Sequence, residues 1–483
     1  MRARSCAVAL LGAMLAACGH ESAPRPARTP VAIRAEPHAP AWSAAALRTL
    51  QARLRDALRD PTLAAGGIAI VDAQARPLFV RHERRALTPA STFKVLCAAG
   101  ALEMFGPRFR FETDLRSLDD PGDGTIAGDV WLVGSGDPTL TSDDLRGGIG
   151  AVARSGTRRI DGALVADATA FGGREINAAW DPDDLQYGYA AGTSALSLDG
   201  DTIEFHLVPA AVGAPARIDM RPPGVVSVHG AVITSYATSV NIDRAPDRND
   251  FAVDGRIAAG AEQSFWKPVI DLPRYAARVA RSMLEARGIS VRDGVRVGVA
   301  PLGGHILWLH RSMPLRDIVR QMLFTSDNHY AEQLLRALGA QRGTGTEASG
   351  AAVERGLFAR DGVPSGGLRV VDGSGLAASD RIAPISLATL LARAAAEPIG
   401  PAFIADLPRV GIEGTVKWRH LTEALGRTRA KSGHIENVNA LAGYVQTHHH
   451  GRVAFAFMIN DPRADAGSVD EGINRALDIL ARE

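Results

Sequence analysis

Of the 54 lysines and arginines in this chain only four are lysine: Lys94, Lys267, Lys417 and Lys431. A guanidinium keeps its proton, whereas an ammonium can be stripped to a neutral amine by burial and positive neighbours. Two of the four stand in patterns that could do acyl chemistry. Lys94 closes Ser91-Thr92-Phe93-Lys94, Lys431 opens Lys431-Ser432-Gly433, and Ser326-Asp327-Asn328 lies between them. A serine hydroxyl is inert until a neighbour takes its proton. A lysine can take it when its pKa falls from about 10.4 to about 7–8, a cost of about 3–5 kcal/mol. Burial and a second cation produce such a shift, and Lys431 is the candidate cation. The set reads as a serine nucleophile, a lysine base and a serine/asparagine relay toward a leaving group.

Each pattern has the local context it requires. An apolar helical run follows Ser91 (Phe93, Val95, Leu96, Ala98, Leu102), so Ser91 and Lys94 share one helix face at the N-terminal end. Backbone N–H groups and the helix dipole there favour developing negative charge. Ser326-Asp327-Asn328 precedes a second apolar helical pattern (Ala331, Leu334, Leu335, Leu338), where the bland use of such residues is an N-cap. Lys431-Ser432-Gly433 opens a strand.

Those elements recur at both ends of the chain. Leu47, Leu50, Leu54 and Leu58 space as a helix between about 41 and 60, and Gly67–Val71 with Pro77–Val80 reads as a hairpin. Near the end, Leu441–Val445 and Val453–Ile459 form a second hairpin across the turn His448-His449-His450-Gly451, and a helix runs from Asp470 to about Ala481. One sheet built from both termini is expected. From 108 to 267 short apolar runs are broken by Gly, Pro and Asp, a β-rich texture without strong helical signals. Helical spacing resumes at Tyr275–Arg287 and Leu315–Leu323. The reading is therefore a catalytic part from 41–107 and 268–483 with an insertion at 108–267.

The chain starts with a basic head, an apolar run from Ala7 to Ala17 too short to span a bilayer, and Cys18. Leu15-Ala16-Ala17-Cys18 resembles a bacterial lipobox, so residues 1–17 are expected to be a signal peptide and Cys18 the lipidated N-terminus. Gly19 favours the outer membrane, and the Pro/Ala/Arg-rich stretch 18–40 reads as a tether. A net charge of +1 gives no reason to expect nucleic acid. No metal or cofactor is expected: adjacent histidines 448–450 in a turn cannot aim at one ion, and zinc-protease, phosphate-loop and dinucleotide patterns are missing. Cys97, on the apolar helix, reads as core filling.

The three patterns in this order resemble those of serine β-lactamases and penicillin-binding proteins. The long gap of 235 residues from Ser91 to Ser326, and 105 from there to Lys431, is similar to the D-alanyl-D-alanine carboxypeptidase/endopeptidase family of class C low-molecular-mass penicillin-binding proteins (peptidase family S13). Gly134-Ser135-Gly136-Asp137-Pro138, Asp372-Gly373-Ser374-Gly375-Leu376, Ser326–Leu335 and Leu441–Val445 match it too. The resemblance implies a mixed α/β (α+β) DD-peptidase-like fold, an antiparallel sheet flanked by helices. It implies Ser91 as acylated nucleophile, Lys94 as base, Ser326 as proton relay, Asn328 on the substrate amide and Lys431 as positive potential. Ser432, Gly433 and His434 would line the carboxylate and oxyanion region, with the oxyanion between the N–H groups of Ser91 and His434. Ser432 stands where the family more often has Thr, which keeps the hydroxyl. Trp180 and either Asp183 or Asp184 would receive the amino end of the stem-peptide side chain. The implied partners are peptidoglycan stem peptides and, as covalent inhibitors, β-lactams, with membrane contact only through the lipid. A non-catalytic wall-binding lipoprotein and a β-lactamase or esterase on the same fold are the alternative readings.

Overall fold

Val453, Phe455, Phe457 and Ile459 alternate with Ala454, Ala456 and Met458, so a strand here presents one bulky face and one mostly small face. In a computed structural model, which describes residues 40–120 and 122–483, this is the strand Arg452–Asn460 at the centre of a five-stranded antiparallel sheet. The order across it is Thr428–Ile435, Val438–Gln446, Arg452–Asn460, Gly67–Val71 and Pro77–Arg81, so both ends of the chain build it. The leader and Cys18 lie outside the described residues.

The bulky face packs under the two terminal helices, Ala44–Ala57 and Ala466–Arg482, with Leu50, Leu54, Ile473 and Leu477 against Phe455 and Phe457. Each such fully buried side chain contributes about 1.5–3 kcal/mol. The alanine face lets the helix Pro384–Ala396 approach through Leu387 and Leu391. The helix Lys94–Phe105 is apolar on all sides from Val95 to Leu102, and accordingly it is buried on all sides. The helices Leu315–Thr325, Asn328–Ala340 and Glu347–Arg360 surround it. At the far hairpin turn His450 stacks on Trp42 at 4.0 Å and its Nδ1 is 3.0 Å from the Pro40 carbonyl, a packing role for one of the three histidines.

The middle of the chain holds a second core around a mixed five-stranded sheet, in the order Val295–Val297, Leu164–Asp167, Val130–Gly134, Glu112–Ser117 and His305–Arg311. Smaller three- and four-stranded sheets occupy the stretch between Thr202 and Pro268. Two features differ from the sequence reading. Ser142–Arg154 is a 13-residue helix, opened by a reciprocal capping box between Thr141 and Asp144. Its glycines hide it from a propensity argument, yet Gly148 is required: a Cβ there would lie 2.4 Å from the Trp308 ring. Residues 268–311, grouped by sequence with the catalytic part, pair and pack here. Their strands form both edges of the sheet, and Leu272–Glu285 buries Tyr275, Val279 and Leu284 in this core.

Candidate active site

Ser91 lies in a short 3-10 turn, Ala90–Phe93, that runs straight into the buried helix Lys94–Phe105. Ala90 sits at φ 47°, a left-handed conformation that costs a non-glycine residue about 1–3 kcal/mol. The turn is wedged between two close backbone approaches. Gly375 faces it from one side, where a Cβ would stand 2.0 Å from the Ala90 carbonyl oxygen. Gly433 faces it from the strand Thr428–Ile435, where a Cβ would stand 2.7 Å from Pro89 O and 3.0 Å from Ser91 N. The glycines of two sequence motifs are thus explained by contact with the same turn.

Lys94 is fully buried, and its Nζ has three neighbours: Ser91 Oγ at 2.9 Å, Asn328 Oδ1 at 2.7 Å and the Ser374 carbonyl at 2.9 Å. Two of these can only accept. A neutral amine has two N–H bonds and one lone pair, so donating to both carbonyl oxygens leaves the lone pair for the Ser91 hydroxyl. Burial lowers the Lys94 pKa to about 8, against the opposing charges of Asp372, Glu332 and Asp327.

This corrects one expectation. The agent that depresses Lys94 is its own burial rather than a permanently charged Lys431. Lys431 is equally buried, donates to the Ser432 carbonyl at 2.6 Å, and is itself held well below the ordinary lysine range, first by burial and then by the Lys94 charge. The Lys94 charge thus disfavours the proton of Lys431, so the two buried amines are not both held as ammonium ions.

Asn328 opens the helix Asn328–Ala340, which Asp327 caps by accepting the Tyr330 N–H at 3.1 Å. Its amide is held at both ends: Oδ1 accepts from Lys94 and Nδ2 donates one N–H to the Tyr189 carbonyl at 2.9 Å. Ser326 ends the preceding helix in a left-handed conformation, φ 64°, and its hydroxyl makes no hydrogen bond to Ser91, Lys94 or Asn328 among the described residues. Ser432 shares a hydrogen bond at 2.8 Å with Thr415 Oγ1. The His434 ring turns to Asn439, its Nδ1 2.9 Å from Oδ1, and His434 lines the same cleft as Ser91.

That cleft measures about 770 Å³ and is lined by Ser91, Trp180, Asp184, Tyr189, Asn328 and His434, among others. Of the two aspartates the sequence leaves open, Asp184 lines this cleft and Asp183 is not among its lining residues. Asp184 accepts the Tyr189 hydroxyl at 2.6 Å, and Trp180 Nε1 donates away from the cleft to Asp372 at 2.9 Å. Sequence reasoning missed Thr415 and Tyr189, because a lone Thr or Tyr carries no spacing signal. It also assigned nothing to Glu332 and Asp372, which lie buried behind Lys94.

A serine–lysine–asparagine contact built around a buried lysine, at the edge of an antiparallel sheet flanked by helices, defines the class of active-site serine hydrolases that includes the penicillin-binding proteins. Within that class the chain belongs to the D-Ala-D-Ala carboxypeptidase 3 (S13) family, whose model matches residues 50–483. A D-alanyl-D-alanine carboxypeptidase of Actinomadura sp. (strain R39) is 33% identical over 442 residues, 86% of this chain and 82% of the relative. The D-alanyl-D-alanine carboxypeptidase DacB of Haemophilus influenzae is 26% identical over 389 residues, 77% of this chain and 80% of the relative. The crystal structure of penicillin-binding protein 4 from Haemophilus influenzae has the same fold, with a TM-score of 0.78 at 23% identity over 89% of this chain and 99% of that one.

Proposed function

We propose that the protein is a serine DD-peptidase that hydrolyses peptidoglycan stem peptides through an acyl-enzyme on Ser91. It removes a terminal D-Ala, cleaves D-Ala–diaminopimelate cross-links, or does both. The observation that carries this reading is the placement of Lys94 Nζ between Ser91 Oγ, Asn328 Oδ1 and Ser374 O at the edge of an open cleft. Neutral Lys94 takes the hydroxyl proton as Ser91 Oγ attacks the carbonyl of the penultimate D-Ala. The backbone N–H groups of Ser91 and His434 hold the oxyanion. The C–N bond breaks, and the proton passes through the Ser326 hydroxyl to the departing amine. Water, deprotonated by Lys94, then releases the acyl group. Lys431 adds positive potential when protonated, and Ser432, aligned by Thr415, binds the terminal carboxylate. Penicillin-binding protein 4 of Haemophilus influenzae has been solved with a β-lactam bound, and β-lactams are expected to acylate Ser91 here. The test is product analysis with pentapeptide monomers and cross-linked dimers. Release of D-Ala from the first, or of monomers from the second, supports the reading, and loss of neither substrate contradicts it.

Asp184 is the carboxylate we assign to the amino end of the stem-peptide side chain, a reading supported by its lining the same cleft as Ser91 and Trp180. Asp184→Asn is expected to raise KM about 5–30-fold for substrates bearing that amine and to leave substrates lacking it nearly unchanged. Asp183→Asn should change neither. Equal effects of the two substitutions on the two substrates would remove Asp184 from this role.

The protein acts at the periplasmic face, anchored through lipid on Cys18, with the outer membrane favoured by Gly19. The short apolar leader supports this, and among the described residues no helix is long and apolar enough to cross a membrane. Cys18→Ser is expected to shift the protein from the membrane to the soluble fraction and to end palmitate incorporation. Continued membrane recovery with label would contradict the anchor.

A further inference from the structure

Behind Lys94 the segment 372–377 is held by two buried carboxylates. Asp372 is fully buried and accepts three N–H groups: Gly375 N at 2.6 Å, Ala377 N at 2.6 Å and Trp180 Nε1 at 2.9 Å. Glu332, from the Asn328–Ala340 helix, accepts Gly373 N at 3.1 Å and Ser374 N at 2.9 Å. The carbonyl between these anchor points, Ser374 O, is the one that accepts from Lys94 Nζ at 2.9 Å. The segment also packs closely against neighbouring backbone: a Cβ on Gly373 would lie 2.5 Å from the Ala331 carbonyl oxygen, and one on Gly375 2.0 Å from that of Ala90. Its far anchor, Trp180, is a wall of the substrate cleft.

We propose that Asp372 and Glu332 are positioning residues that aim Lys94 at Ser91 through the Ser374 carbonyl, and that the Trp180–Asp372 bond links the cleft wall that receives the substrate side chain to that aim. The inference rests on the reading that Lys94 serves Ser91 in acyl transfer. Displacing a reacting group by even about 1 Å costs about 100-fold in rate, so a carbonyl whose flanking N–H groups are fixed by two carboxylates sets turnover. Both carboxylates also act on the charge of Lys94. The groups that face it are Asp372, Glu332 and Asp327, all favouring the ammonium, with Cys97 on its own helix and Lys431 on the adjacent strand. Burial, then the Asp372 charge, pushes Glu332 up to about 8 and the neighbouring Asp380 up to about 10, so Asp380 is protonated at neutral pH.

The test is the acylation rate of the full chain by benzylpenicillin from about pH 6 to 10, with turnover of an amine-bearing pentapeptide alongside. Asp372→Asn is expected to lower the plateau rate at least about tenfold and to move the rising limb to lower pH by about 0.5–1 unit, because losing a negative neighbour makes Lys94 easier to deprotonate. Glu332→Gln should also lower the plateau, because Gly373 N and Ser374 N lose their carboxylate acceptor, and should move the limb less, because Glu332 is itself mostly protonated below about pH 8. Trp180→Phe keeps Asp372 and loses one donor; it should lower kcat on the pentapeptide more than the penicillin rate. A folded Asp372→Asn protein with an unmoved limb, or with an unchanged plateau, overturns the proposal. If Asp372→Asn does not fold, an unchanged plateau in Glu332→Gln, or equal losses on both substrates in Trp180→Phe, overturns it instead. A wild type that benzylpenicillin never acylates sinks the underlying nucleophile reading, a different outcome from any of these.

Discussion

Alanine at position 91 is expected to lower stem-peptide turnover by at least about 10⁴-fold and to abolish labelling by a fluorescent penicillin. The expectation follows from what remains. Lys94 stays buried with its two carbonyl acceptors, but the atom that would become acylated is gone. Stability should hardly change, since the substitution removes one hydrogen bond worth about 0.5–1.5 kcal/mol from a partly exposed side chain. A Ser91→Ala protein that melts with the wild type and still turns over substrate at a comparable rate would place the chemistry elsewhere.

Lys94→Arg is the second large effect. It keeps a cation and removes a base, and the acylation rate is expected to fall at least about 10³-fold at every pH. In the wild type the sign is set by the lowered pKa. The neutral amine is the active form, so the rate should climb about tenfold per unit as pH rises toward about 8 and level off above it. Arginine has no accessible neutral form, so the rising limb should vanish with the rate. A variant that retains both the rate and the limb would show that Lys94 supplies charge and not proton transfer. The fully buried site also leaves little room for the larger guanidinium, so melting of Lys94→Arg and of Lys94→Met, a smaller apolar replacement, separates misfolding from lost chemistry.

Much of this was legible in the sequence. The small/large alternation at 453–459 places the central strand, and the apolar run 93–102 places a buried helix with Ser91 and Lys94 at its start. What was not legible depends on contacts distant in sequence. The glycines of 142–154 read as helix breakers until Trp308 is seen against Gly148. Thr415 becomes significant only through its bond to Ser432, and Asp184 is separated from Asp183 only by which of them faces the cleft. The role expected of Lys431 as a fixed ammonium overlooked that a lysine behind the sheet edge is buried along with the one it was meant to influence. Motif spacing reports which residues converge. It does not report how much water they keep, and that sets their charge.

The central claim is that the Ser91 hydroxyl becomes the acylated group because the adjacent buried lysine is neutral. Mass mapping of the protein after benzylpenicillin treatment across a pH series tests it most directly. The account predicts one adduct per chain, confined to the peptide that contains Ser91 and forming faster as pH rises toward about 8. An adduct on another peptide, or one that forms at the same rate across the series, would contradict it.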